Sequence, residues 1–306
     1  MTDTLVASVD EIRTHFPALE RLVPGPGVPV AYFDAPGGTQ VPRAVVDAMS
    51  DYLHHHMSNR RWPFPTSAET DTAVEAARAA LADLLGAWPQ EIAFGANMTT
   101  LTYHLSRVLG RRLGPGDEIV VTELEHQANI APWRALVAER GVTLRMVPMI
   151  PETGTLNWDA MEREVGSKTR IVAVGAANNA LGTIVDVRRV SDMARSVDAL
   201  TFVDAVHYVP HEFTAVGQWQ ADFVACSAYK TFGPHIGILF GRDDLIREME
   251  LDSLKLPPAP DTVPDRIESG TLNFEGLCGA AAAVDFLASL TTGDDRRECL
   301  RTVFEE

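Results

Sequence analysis

Lysine is nearly missing from this chain: Lys168, Lys230 and Lys255 are the only three among 26 basic residues. Positive charge of any kind is scarce, and the formal net charge of -16 argues against nucleic acid or an anionic membrane as a main partner. No apolar run reaches the about 18 residues of a membrane span. The acidic opening "MTDTLVASVDEIRTHF" lacks a signal-peptide core, so the expected location is the cytoplasm. Cysteine is equally sparse. Cys226, Cys278 and Cys299 form no CxxC pair, fit a reducing compartment, and read as small buried hydrophobes rather than nucleophiles. There is no glycine-rich P-loop and no GxGxxG, which leaves nucleotide readings without their motif.

What the chain does have is a full core, with 46% apolar residues in 306, enough for one large α/β domain with or without a small appendage. Helical periodicity runs through "ETDTAVEAARAALADLLG", "IAPWRALVAERG", "WDAMEREVG" and "VRRVSDMARSV". Between and after them come the β-rich runs "EIAFGA", "DEIVVTELEH", "VTLRMVPM", "TRIVAVGAAN", "ALTFVDAV", "DFVACSAY" and "IGILFG". The alternation predicts a mainly parallel sheet, and strands apolar almost throughout predict helices on both faces. Three regions are expected: a turn-rich arm and helix over 1–68, a large domain over 69–290, and over 291–306 the start of a C-terminal domain that is truncated or absent. The arm, with "GPGVPVAYFDAPGGTQVP", is expected to pack on a neighbour or over a site.

Ligands in such sheets gather beyond the carboxyl ends of the strands. Polar residues there are "NMTT" (97–100), "EHQAN" (125–129), "ANN" (177–179), "DAVH" (204–207) and "SAYK" (227–230). Lys168 and Lys255 sit in polar or Pro-rich surroundings and read as surface charges. Lys230 instead follows a buried strand, where desolvation lowers an amine's pKa and suits it to Schiff-base chemistry with a carbonyl. Asp204 ends another buried strand and needs a cationic or hydrogen-bonding partner; a protonated pyridine nitrogen, as in pyridoxal phosphate (PLP), is one. His126 offers a flat ring for stacking, and the hydroxyls and N–H groups of "NMTT" could hold a phosphate at a helix start. Taken singly, these residues also suit a snorkelling lysine, a turn-capping aspartate, a surface histidine and a threonine N-cap.

Two rival chemistries are weaker. The "HHH" at 54–56 spreads three histidines about 100° apart around a helix, so the three cannot converge on one ion, and no metal site is expected. "SAYK" matches the S-x-x-K of serine acyl-transfer enzymes, with Ser227 as nucleophile and Lys230 as base, but the companion S-D-N and K-T-G are missing.

In combination and order, these residues resemble the class V aminotransferase family of fold-type I PLP enzymes, within it the cysteine desulfurase and selenocysteine lyase branch, over roughly residues 30–290. The resemblance implies a mainly parallel seven-stranded sheet with helices on both faces, PLP as cofactor, an amino-acid substrate and a homodimer. It implies Thr99, Thr100 and Ser227 on the phosphate, His126 stacked on the pyridine ring and Asn179 and His207 near its phenolic oxygen. Asp204 would face the pyridinium nitrogen, and Lys230 would be the covalent anchor. Thr271 in "ESGTLN" would reach the phosphate of the other subunit's cofactor. The implied reaction is desulfurase-like C–S cleavage with a sulfur-acceptor protein; aminotransferase, epimerase or a PLP binder without turnover are the alternatives.

Three features depart from the family pattern. Tyr229 stands where a histidine usually precedes the lysine, and can still hydrogen-bond a phosphate. His207 replaces a glutamine common in desulfurases. The family's small C-terminal domain, with its carboxylate-binding arginine and sulfur-accepting cysteine, has no counterpart before Glu306, and none of the three cysteines occupies the acceptor position.

Overall fold

The computed structural model describes residues 6–249 and 262–306, so Lys255 and the Pro-rich stretch around it lie outside the described residues. The strands are β1 (Ile92–Gly95), β2 (Glu118–Thr122), β3 (Thr143–Val147), β4 (Met149–Ile150), β5 (Thr155–Leu156), β6 (Thr169–Gly175), β7 (Leu200–Asp204), β8 (Phe223–Ser227) and β9 (Gly237–Gly241). β4 and β5 form a separate two-stranded hairpin, and the other seven make one sheet in the order β1-β9-β8-β7-β6-β2-β3. β9 runs antiparallel to both its neighbours, β1 and β8, and every other pairing in the sheet is parallel.

The helices are α1 (Val9–Thr14), α2 (Arg43–His55), α3 (Pro65–Leu85), α4 (Met98–Gly110), α5 (Ala131–Arg140), α6 (Trp158–Glu164), α7 (Val187–Arg195), α8 (Val216–Trp219), α9 (Asp243–Glu248), α10 (Phe274–Ala288) and α11 (Arg296–Glu305). They divide between the two faces of the sheet because successive strand side chains point opposite ways. Phe202 of β7 and Phe223 of β8 join Leu105 of α4 and Trp133 of α5 in one core. Their neighbours Val203 and Val224 join Leu81 of α3, Val190 of α7 and Leu277 of α10 in the other. Phe202 meets Trp133 edge to face at 5.3 Å; truncating it to alanine is expected to destabilise the fold by about 3–5 kcal/mol.

β8 and β9 are buried at every position, as two covered faces require. The edge strand β3 differs: its burial runs from exposed Thr143 to buried Val147, with exposed Arg145 between, as an edge strand paired on one side only allows. α3 starts at Pro65, which needs no N–H at the first helical position, and stops at Gly86, whose φ of 67° suits glycine. Residues 296–305 form α11, which buries Cys299 and Leu300.

The arm packs against the lysine turn. Thr39 donates from its backbone N–H (3.0 Å) and its hydroxyl (3.1 Å) to the carbonyl of Tyr229. Gly38, at φ 149°, makes that approach possible, since a Cβ there would lie 3.2 Å from the Tyr229 ring. The arm thus packs against the Ala228–Lys230 turn.

Candidate active site at the strand ends

β7 and β8 end side by side, with Asp204 in register with Ala225 and, across β7's other edge, with Gly175 of β6. Beyond β8 the chain makes a single 3-10 turn, Ala228–Lys230, which turns the lysine back over the sheet edge. The hydroxyl of Ser227 accepts the N–H of Met98 at 2.9 Å, joining β8 to the first turn of α4. That helix start lies directly on β9: a Cβ on Gly237 would sit 2.5 Å from the Asn97 carbonyl carbon. Glycine is required there to bring the positive end of α4 over the strand ends.

Lys230 is 5% exposed, and its ammonium donates to the carbonyl of Pro36 in the arm. It also stands 4.8 Å from the centroid of the Tyr229 ring. Burial lowers its pKa, and Asp204 partly opposes that. Asp204 is raised to about 6 by burial, against the Val206 N–H, which bonds Oδ1 at 3.0 Å, and the fields of His126 and Lys230. His207 falls to about 4, mainly by burial and then by the charge of Lys230, so its ring is neutral at physiological pH. The first turn of α4 carries a reciprocal cap: the Asn97 side chain accepts the Thr100 N–H at 2.9 Å, while the Thr100 hydroxyl accepts the Asn97 N–H at 3.2 Å.

The electrostatic and hydrogen-bond links bring Asp204, His126, His207, Lys230 and Tyr229 into one cluster, with Ser227 and the Thr99–Thr100 turn tied to it through Met98. His126 caps a short turn, its Nδ1 accepting the N–H of Ala128 at 3.1 Å. Asn179 lies in the loop after β6 and makes no hydrogen bond among the described residues; its neighbour Asn178 shapes that loop, accepting the Ala180 and Leu181 N–H groups and donating to the Leu124 carbonyl at 2.6 Å. Thr271 is exposed and, with Thr100, His104 and His235, lines a cavity of about 570 Å³ beside α4. The acyl-transfer pairing is not formed: Ser227 bonds Met98 and Lys230 bonds Pro36.

Three participants escaped the sequence reading. Glu125 is buried and raised to about 7, desolvation outweighing bonds from the Thr122 hydroxyl, the Asn129 amide and the Gly175 backbone. His235 stacks on Tyr229 with ring centroids 4.9 Å apart and planes 16° apart. Pro36 supplies the carbonyl that Lys230 bonds. Glu125 stood in the "EHQAN" run after β2 and His235 lies six residues past Tyr229, but the Pro36 contact spans 194 residues.

A family model described as "Aminotransferase class-V" matches residues 31–300. A cysteine desulfurase of Serratia proteamaculans is 33% identical over 92% of this chain and 72% of its own length; one of Dickeya dadantii is 33% identical over 92% and 71%. Among solved structures, the apo cysteine desulfurase of Thermococcus onnurineus superposes with a TM-score of 0.83 at 27% identity, over 94% of this chain and 72% of that one. The cysteine desulfurase CsdA of Escherichia coli gives 0.79 at 27%, over 96% and 74%. A mainly parallel seven-stranded sheet with a lysine turn at its carboxyl edge, the family match over residues 31–300 and these relatives together place the chain in the class V aminotransferase family, whose enzymes are PLP-dependent.

Proposed function

We propose that this chain is a cytoplasmic, homodimeric PLP enzyme that cleaves the C–S bond of an amino acid, as a cysteine desulfurase does. The observation that carries the reading is the pairing at the ends of β7 and β8: a buried lysine with a depressed pKa, beside a buried aspartate with a single backbone hydrogen bond. The donor set fits PLP. The Asp204 carboxylate has room for one further donor, and a buried carboxylate is stabilised by a cation placed against it.

Asp204 would hold the pyridinium nitrogen, and Thr99, Thr100 and Ser227 would hold the phosphate at the positive end of α4. His126 would stack on the ring, and Asn179 and the neutral His207 would bond the phenolic oxygen. Tyr229 would line the phosphate side next to Lys230, and Thr271 of each subunit would serve the other's site. When bound, PLP supplies an electron sink for charge developing at the substrate Cα. Lys230 would anchor the cofactor through its amine and, once displaced by substrate, move a proton at Cα; burial favours the neutral amine both tasks need.

The chain's own thiols are poorly placed to receive sulfur. Cys226 is buried with its pKa pushed up to about 12, Cys299 is buried, and burial also raises half-buried Cys278. Sulfur leaving the substrate would pass to a thiol brought to the site by an acceptor protein or a reductant. PLP added to the purified protein is expected to give the visible band of a lysine Schiff base, and Lys230→Ala to lose it. The loaded protein with cysteine and dithiothreitol should release alanine and sulfide. A protein that stays colourless sinks the cofactor assignment, and keto-acid release instead of sulfide redirects the reading to transamination.

A further inference from the structure

A second polar cluster lies at the far end of α2, outside the proposed active site. α2 ends at His55, and His56 leaves it as the C-cap with φ -123° and ψ 5°. The 100° spacing that separates the three histidines therefore applies only up to that point. His54 turns to Ser50, 3.5 Å away. His55 and His56 instead meet at Asp51: His55 Nδ1 is 2.9 Å from Oδ1 and His56 Nε2 is 3.4 Å from Oδ2. One ligand atom from each of Asp51, His55 and His56 lies within 4.8 Å of the others.

His56 is held for this role from behind. Its other ring nitrogen, Nδ1, bonds Glu69 Oε2 of α3 at 2.7 Å, the carboxylate–histidine arrangement that orients metal-ligating imidazoles. Its backbone is fixed as well, its N–H bonding the Tyr52 carbonyl at 2.9 Å and its carbonyl accepting the Thr70 hydroxyl at 3.3 Å. The last turn of a helix carries unpaired carbonyls and a partial negative charge that favour a cation.

We infer that Asp51, His55 and His56 form a surface site for a divalent transition-metal ion, with Glu69 as the outer carboxylate that aims His56. Two imidazoles and one carboxylate suit Zn²⁺ and its neighbours in the first row rather than Mg²⁺ or Ca²⁺, which prefer all-oxygen sets. The site fastens the end of α2 to α3 and leaves coordination positions open to water. It is independent of the PLP reading, since none of its residues belongs to the strand-end cluster.

The test is equilibrium dialysis of the intact chain against Zn²⁺, with bound metal counted by elemental analysis, on PLP-loaded and PLP-free protein alike. One zinc per chain is expected in both. Asp51→Asn, His55→Ala and His56→Ala should each weaken binding by about 100-fold, and Glu69→Gln by about 10-fold, the range for loss of an outer-shell partner. His54→Ala and Cys278→Ser should bind as the wild type does. Zinc should also raise the unfolding temperature of the wild type but not of His55→Ala, because an ion held only by the folded state stabilises it. Asp51 and His55 have side chains 61% and 64% exposed, so these variants retain the fold. Retention of the same zinc by a His55→Ala/His56→Ala double variant, or no zinc on the wild type at millimolar free ion, overturns the assignment.

Discussion

Two buried carboxyls, one at the end of β2 and one at the end of β7, divide the site into a part built for itself and a part built for something else. Glu125 is surrounded by donors: the Thr122 hydroxyl at 2.7 Å, the Asn129 amide at 2.6 Å and the Gly175 backbone. Asn129 is fixed in turn by the Trp133 indole N–H at 3.2 Å. Asp204, two strands away, has among the described residues only the Val206 N–H. Both are lifted well above the carboxylate range by burial, to about 7 and about 6. A closed network is a structural polar core, whereas a buried acid with an unused oxygen is held ready for a partner. An elevated pKa alone would rank Glu125 as the functional residue; the hydrogen-bond partners reverse that ranking.

The largest expected effect separates the two by chemistry. Asp204→Asn should lower turnover of the PLP-loaded protein by at least about 100-fold, the scale on which loss of one charge-stabilising group is felt, while circular dichroism stays native. Glu125→Gln should leave turnover within about threefold, because an amide can still accept two of the three bonds and donate the third. Equal losses for both variants would erase the distinction between them.

Next comes stability. Glu125→Ala strands the Asn129 amide, the Thr122 hydroxyl and the Gly175 N–H in the interior, and should cost about 2–4 kcal/mol in urea denaturation. Asp204→Asn strands nothing comparable and should act the other way on the cofactor-free protein. An acid whose pKa is raised on folding keeps its proton after the unfolded chain has lost it. Stability therefore falls as pH rises from 3.8 through about 6. Above that window the ionised Asp204 carries a penalty of up to roughly 3 kcal/mol, at about 1.4 kcal/mol per pH unit. Removing it should stabilise the cofactor-free chain by about 1–3 kcal/mol at pH 8 and change little at pH 4; denaturation at the two pH values checks the sign. Glu125 is subject to the same linkage between 4.5 and about 7, and the negative charge of Asp204 contributes to its rise, so Asp204→Asn should also lower the Glu125 titration.

The same contrast explains what was legible in the amino-acid order. Strand identity and the strand-end placement of Asp204, Ser227 and Lys230 follow from local pattern, since apolar runs of strand length end in polar residues at one edge of a parallel sheet; the seven-stranded sheet was implied by the family resemblance. Two donors to Glu125, Thr122 and Asn129, lie within four residues of it, but the third, the Gly175 backbone, is 50 residues away, so its role depends on counting donors that only the fold brings together. The Pro36 contact to Lys230 spans 194 residues and the Arg78–Glu268 pair 190, distances over which no local pattern carries information. The departure of His56 from the end of α2 was equally hidden, because helical periodicity describes a helix and says nothing of where it ends.

Tyr229 supplies the smallest expected effect and tests the comparison most finely. Its ring stacks on His235 and lies near the Lys230 ammonium, while its hydroxyl makes no hydrogen bond among the described residues. Its pKa is raised by burial and then by the negative charge of Asp204. The phenol therefore stays neutral and contributes through its ring, a flat surface between a cation and an imidazole. Tyr229→Phe keeps that surface and removes only the hydroxyl, so stability should change by less than about 0.5 kcal/mol, as for substitutions that break no buried bond. The Asp204-linked pH transition should stay where it is. Tyr229→Ala removes the ring and should lower stability by about 1–3 kcal/mol through lost burial and stacking. If Tyr229→Phe instead moves the transition, the hydroxyl bonds Asp204 or its partner in solution, and Asp204 joins Glu125 as a member of a closed network.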